Sequence, residues 1–280
     1  MIQIITDSAA DFTPAEAKEK GIEIIPLKII FGEQVFYQEQ DEGFHQFYSL
    51  LASAKQLPST SQATPHEYEA LFEQARDAGG GAVVITLSGK LSGTVQSAHM
   101  AKKICGYHNI HIVDSKQAVI GQRLLVEYAV RLREQGKSAD DIAAAVEDAA
   151  GRVRLWGMVD TLDYLLKGGR LSRGAAMVGS MLNIKPIIEI RDGGLVMADK
   201  ARGFQGSAQS IFRMMGDVPA VDPAAPVYFG YSHVQDSCLK FRELAMARYH
   251  FSDCPIYPVG GIVGTHIGPG AMIIAYLQQK

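Results

Sequence analysis

Residues 81–94 read Gly-Ala-Val-Val-Ile-Thr-Leu-Ser-Gly-Lys-Leu-Ser-Gly-Thr. The run 82–87 is short, apolar and rich in β-branched residues, which reads as a buried strand. The Ser/Gly turn at 88–94 leaves that strand and leads into a segment of helical period. Two other runs repeat the pattern: 2–6 opens into Thr6-Asp7-Ser8, and 110–113 into Asp114-Ser115. Strand, polar turn and helix in alternation predict a mostly parallel sheet with helices on both faces. In such a sheet the C-terminal strand ends gather along one edge, and ligands bind there.

The helix ends of this half are marked. Thr13-Pro14-Ala15-Glu16 is a capping box with proline at the first helical position. Ser138-Ala139-Asp140-Asp141 is an acidic N-terminus. Leu124, Leu125, Tyr128, Ala129 and Leu132 fall at helical spacing. One segment departs: 22–31, Gly32-Glu33 and 35–37 predict a hairpin of another sheet. In the second half, 185–190, Asp192-Gly193-Gly194 and 195–198 predict a hairpin. A helix at 208–215, a strand at 227–231, a helix at 235–248 and strands at 256–263 and 271–277 follow. The expected fold is α/β in two domains. Residues 1–155 form a mostly parallel sheet flanked by helices, 156–280 a largely antiparallel one, and the ligand sits in the cleft between them.

A chain of 280 residues with 47% apolar and 20% charged residues has core enough for such a fold and is not disordered. A net charge of -3 excludes a nucleic-acid binder that relies on overall basicity. The charge is unevenly spread, with 13 basic and 20 acidic residues in 1–150 against 14 and 10 in 151–280. A basic second half suits an anionic ligand or an acidic partner, and equally a set of solvated helix faces. Cys105, Cys238 and Cys254 show no CxxC spacing, which points to a reducing compartment and away from disulfides or zinc. Residues 1–12 lack the basic start of a signal peptide. Residues 255–279 carry no charge but are broken by three prolines and five glycines, so they read as buried strands and not as a membrane span. A cytoplasmic protein without an integral membrane segment is expected.

Four polar loops carry candidate chemistry: Thr6-Asp7-Ser8, Ser59-Thr60-Ser61-Gln62, the 88–94 turn, and Gly264-Thr265-His266-Ile267-Gly268-Pro269-Gly270. Hydroxyls and N–H groups converging on one crevice suit a carboxylate or phosphate. Each residue alone is equally a helix cap, and His266 a structural histidine. The 88–94 turn matches neither GxGxxG nor GxxxxGK[ST], which leaves nucleotide binding with little support. An ester hydrolase using Ser92 or Ser61 with His266 and Asp7 is the enzymatic alternative, although no GxSxG elbow is present.

Taken in order, the motifs resemble the DegV family. They are Thr6-Asp7-Ser8, Thr60-Ser61-Gln62, Leu91-Ser92-Gly93-Thr94, Val113-Asp114-Ser115, Leu162-Asp163-Tyr164-Leu165, Lys167-Gly168-Gly169-Arg170, Asn183-Ile184-Lys185-Pro186-Ile187, Lys200-Ala201-Arg202-Gly203 and the Thr265–Gly270 turn. The resemblance spans the chain. It implies a protein that holds one long-chain fatty acid, such as palmitate, stearate or oleate, with its tail buried and no metal or further cofactor. It also implies the role of binding subunit in a bacterial fatty acid kinase. A separate kinase subunit then converts the carboxylate to acyl phosphate for phospholipid synthesis, and the carrier, a monomer or weak dimer, lacks catalytic machinery.

Carried over by motif, Thr60, Ser61, Ser92, Gly93 and His266 hold the carboxylate. Such neutral donors need no deeply buried arginine that would pin the anion. The acyl tunnel candidates are Met158, Met177, Met181, Leu182, Ile187, Ile262 and Val263, residue types that a packed core would also use. Lys167, Arg170, Arg173 and Arg202 would face the partner or the phosphate. The sequence departs from the family at Arg202-Gly203-Phe204-Gln205-Gly206, where relatives continue with basic residues, so docking is expected to differ.

Overall fold

The computed structural model describes residues 2–37, 41–172, 183–216 and 220–280. The run that opens the sequence reading is strand β6 (Gly81–Thr86), buried at every position. It lies between β1 (Ile2–Asp7) and β7 (Ile110–Asp114), with β2 (Ile22–Ile25) beyond β1, in the order β2-β1-β6-β7 and parallel throughout. Unbroken burial marks a strand covered on both faces. Helices α3 (Pro65–Asp77), α4 (Thr94–Cys105), α5 (Val119–Glu134) and α6 (Ala139–Ala150) pack on it. Ahead of them, α1 (Pro14–Lys20) begins with the expected capping box: Glu16 N donates to Thr13 Oγ1 at 3.2 Å and Thr13 N to Glu16 Oε2 at 2.8 Å.

The segment 22–31 divides. Its first part is β2 of the parallel sheet. Pro26, which has no N–H for a ladder, ends it. Beyond it, β3 (Lys28–Phe31) pairs with β4 (Gln34–Phe36) and β5 (Ser59–Ser61) in a separate antiparallel sheet, beside which runs α2 (Asp41–Ser53).

The second half builds a sheet in the order β10-β9-β8-β13-β11-β12. Its strands are β8 (Val153–Met158), β9 (Ile184–Arg191), β10 (Gly194–Arg202), β11 (Tyr228–Tyr231), β12 (Ile256–Pro258) and β13 (Met272–Leu277). Every pairing is antiparallel except β11 with β12. The β9–β10 turn holds Asp192 and Gly193 at φ 50 and 81, the left-handed pair that a tight hairpin needs. Trp156, Met158, Ile187, Phe229 and Ile274 pack with Phe212 and Phe241 in a core that includes α8 (Gly203–Met215) and α9 (Asp236–Tyr249). Elsewhere on this sheet, β8, β11 and β13 contact α5, which also touches β1 and β6 and so joins the two sheets.

The strand expected at 256–263 is a correction. It stops at Pro258, and 261–267 form the helix α10 (Gly261–Ile267), after α7 (Asp163–Lys167) in the chain. Gly264 N donates to Gly260 O at 2.7 Å, and Gly268 N to Gly264 O at 2.9 Å. A short apolar run has no period by which a buried helix and a buried strand can be told apart. Asp11 anchors the start of α10, its Oδ1 accepting Gly260 N at 3.0 Å. The buried Arg123 clamps the same loop. It donates to Asp11 O at 3.0 Å, pairs with Glu16, and lies over the rings of Phe12 and Tyr257 at 4.2 and 3.7 Å.

Candidate functional site

At the C-terminal edge of the parallel sheet, the 87–93 loop, α10 and the six-stranded sheet enclose an apolar cavity. Its volume is about 160 Å³. Leu87, Leu91, Ala118 and Val119 form one wall; Leu155, Ile188, Ile190, Leu195 and Ile273 form the sheet wall. Ile262, Val263 and Ile267 come from α10. The polar side chains are Thr60, Ser61, Gln62, Ser92, Arg170 and His266.

Thr60, in β5, and His266, in α10, meet across 206 residues of chain, Thr60 Oγ1 lying 2.9 Å from His266 Nε2. His266 is 9% exposed, and its Nδ1 has no hydrogen-bond partner among the described residues. Burial, with a smaller contribution from the Arg170 cation, pushes its pKa down to about 4. The imidazole is therefore neutral at neutral pH, with one donor and one acceptor nitrogen. Gly168 makes its position possible, because a Cβ there would overlap Nδ1 and lie 3.0 Å from Tyr164 O.

The other hydroxyls are oriented locally. Ser92 Oγ lies 2.9 Å from Thr94 Oγ1, and Ser61 Oγ donates to Gln62 O at 3.2 Å. The 88–92 loop is pinned by Ser88 Oγ donating to Gly193 O at 2.7 Å, and by Gly89 N donating to Asp114. Gly93 has Gln62 directly against it, where any Cβ would overlap the amide, and Gln62 Nε2 donates to Ser97 Oγ at 3.1 Å. The five residues expected at a carboxylate thus line one cavity.

Arg170, expected to face the partner or the phosphate, is found in the cavity lining. Its half-buried guanidinium lines the cavity, donating from Nε to Leu91 O at 3.1 Å and from a terminal nitrogen to Gly168 O at 2.7 Å. Desolvation lowers its pKa. Lys167 and Arg202 are exposed. Arg173 lies outside the described residues.

The tunnel candidates divide. Ile262 and Val263 line the cavity. Met158 and Ile187 do not; they pair in register and pack into the core around Phe212 and Phe241. Side chains alternate across a strand, so the cavity takes the other parity, Leu155 on β8 with Ile188 and Ile190 on β9. Met177, Met181 and Leu182 lie outside the described residues. The period-two pattern would have found Ile188, Ile190 and Leu155 had the face been known.

Asp7 and His266 are separately engaged. Asp7 Oδ2 accepts Leu87 N at 2.7 Å, and Oδ1 accepts Ala9 N and Gln122 Nε2 at 3.1 and 3.2 Å. Burial raises its pKa to about 6 against those hydrogen bonds. With His266 bonded to Thr60 and Ser92 beside Thr94, no Ser–His–Asp relay is assembled. Among the described residues no group of acids, histidines and cysteines could hold a metal, and no helix is long and apolar enough to cross a membrane.

Residues 1–279 match the profile of the DegV family, described as uncharacterised protein, DegV family. The chain belongs to the DegV family. A DegV domain-containing protein of Caldanaerobacter subterraneus subsp. tengcongensis is 33% identical over 287 residues, covering 100% of this chain and 99% of its own. Among solved DegV structures, the Thermus thermophilus protein described for its fatty acid binding is 26% identical with a TM-score of 0.86, covering 99% of each chain. The Streptococcus pneumoniae Fatty Acid Kinase (Fak) B3 protein, loaded with linoleic acid, is 25% identical with a TM-score of 0.87, covering 100% of each.

Proposed function

We propose that this DegV chain is a fatty-acid-binding carrier: it buries one acyl chain in the cavity and presents the carboxylate to a separate kinase subunit that forms acyl phosphate. The observation that carries this reading is the Thr60–His266 pair, hydrogen-bonded on the wall of a largely apolar cavity. The Thermus and pneumococcal relatives, described with fatty acids, support the ligand class. The pneumococcal protein's designation as a fatty acid kinase component supports the partner.

The chemistry is consistent with the residues. Burying a sixteen-carbon tail is worth on the order of 10 kcal/mol at ~0.8 kcal/mol per methylene, part of it spent on immobilising the ligand. Thr60, Ser61, Ser92, the Gly93 backbone and His266 would then hold the carboxylate, and Arg170 would offset its charge. Hydrogen bonds to neutral donors leave an oxygen able to attack a γ-phosphoryl group. Positioning is the carrier's part, and charge stabilisation is the kinase's. In this reading the carrier has no catalytic residues of its own and works in the cytoplasm as a monomer or weak dimer. The ligand lies in the cleft between its two domains, 1–155 and 156–280, and the exposed Lys167 and Arg202 face the partner. Mass spectrometry of the purified protein should find about one long-chain fatty acid per chain, such as palmitate, stearate or oleate. Empty protein that takes up neither palmitate nor oleate would overturn the proposal.

A further inference from the structure

A second space adjoins the acyl cavity. It is a polar cleft of about 340 Å³ between the β7–α5 loop, the turn before β8 and the β9–β10 hairpin. Lys116, Arg154, Glu189, Arg191 and Asp192 line it. Among the described residues Ile190 lines both spaces, and no other residue does.

The sheet explains how one side chain comes to separate them. On the cavity side, Ile188 stands opposite Gly157, which stands opposite Ile273. Two residues further along β9 on the same face comes Ile190, with Leu195 opposite it on β10. Beyond Ile190 the strand ends at Arg191, and the hairpin turn places Asp192 in the charged cleft. Ile190 is 7% exposed and belongs to the hairpin, whereas the hydrogen-bonded Thr60–His266 pair belongs to β5 and α10. A hydrocarbon tail gains nothing by entering a cleft of charged groups.

We infer that Ile190 is the stop that closes the acyl cavity against this polar cleft and so sets which chain lengths fit. The inference rests on the fatty-acid reading. Trimming this side chain to alanine removes its Cγ1, Cγ2 and Cδ1 atoms and opens apolar room at that end of the acyl cavity, where added methylenes can be buried.

The test offers the protein a graded mixture of saturated acids from myristate to arachidate and reads the bound species by native mass spectrometry. Ile190→Ala should raise the share of chains longer than the wild-type favourite by up to about fourfold per added methylene buried, the factor equivalent to ~0.8 kcal/mol. Ile190→Phe should shift the profile to shorter chains, and it keeps the test open should the alanine variant fail to fold. Ile187→Ala removes the same atoms from the opposite face of the same strand, and should leave the profile unchanged. Profiles of Ile190→Ala and Ile190→Phe that match wild type, or an Ile187→Ala shift equal to that of Ile190→Ala, would overturn the assignment. A wild type that takes up none of the acids would instead overturn the fatty-acid reading itself.

Discussion

Asp7 and His266 invite the same reading from sequence, each a titratable residue in a polar loop at the edge of the parallel sheet. Both are buried. Asp7 spends its oxygens on Leu87 N, Ala9 N and Gln122, and so closes the end of β1. His266 bonds Thr60 through Nε2, while its Nδ1, against Gly168, has no hydrogen-bond partner among the described residues. What separates the two is placement: His266 lines the cavity and Asp7 does not. Loop composition does not make that distinction.

The comparison can be broken first through pH. Burial lowers His266 to about 4, below its unfolded value. Its contribution is therefore complete above the unfolded pKa of ~6.5 and is lost as the pH falls toward 4. Asp7, raised to about 6, behaves oppositely, stabilising most at low pH and losing that contribution as the pH rises through 6. Each effect is about 3 kcal/mol at ~1.36 kcal/mol per unit. Denaturant unfolding across this range should show His266→Ala and Asp7→Asn tilting stability against pH in opposite directions. Parallel profiles would mean that the two sites do not differ as described.

Next comes packing around the imidazole. Gly168→Ala places a methyl group on His266 Nδ1 and against Tyr164 O, and should weaken oleate binding by roughly 1–3 kcal/mol in calorimetry. Smaller losses are expected from the hydrogen bonds themselves. Thr60→Val and His266→Ala should each cost about 0.5–1.5 kcal/mol in oleate affinity, while Asp7→Asn leaves it unchanged. Equal losses in all three would erase the distinction. The smallest effect on binding belongs to Arg202→Ala, exposed and remote from the cavity lining. It should leave lipid content intact and slow acyl phosphate formation with a kinase subunit, most visibly at low salt.

The sequence was informative where its period was unambiguous. The fully apolar β6, the capping box at Thr13 and the Asp192-Gly193 turn all form as read. It was least informative where one residue of parity decides a face. Ile187 lies in a strand, as expected, and Met158 in a strand at 153–158 that the sequence pattern did not mark; both point into the core that includes α8 and α9, while their neighbours Gly157 and Ile188 face the other way. The sequence pattern makes 261–263 the end of a strand and 264–267 part of a polar loop, where the chain forms one helix, because a short apolar run in a buried setting satisfies both periods. Arg170 was placed on a partner surface because its approach to Leu91 O joins residues 79 apart in the chain. The close fit of Gly168 to His266 likewise depends on a fold that brings distant segments together.

The central claim is that a carboxylate sits against Thr60 and His266, and carbon-13 NMR of carboxyl-labelled palmitate on the protein tests it most directly. One bound resonance distinct from free palmitate, moved by both Thr60→Val and His266→Ala and indifferent to Asp7→Asn, is the predicted result. A bound resonance that neither Thr60→Val nor His266→Ala shifts would place the head group elsewhere and contradict the account.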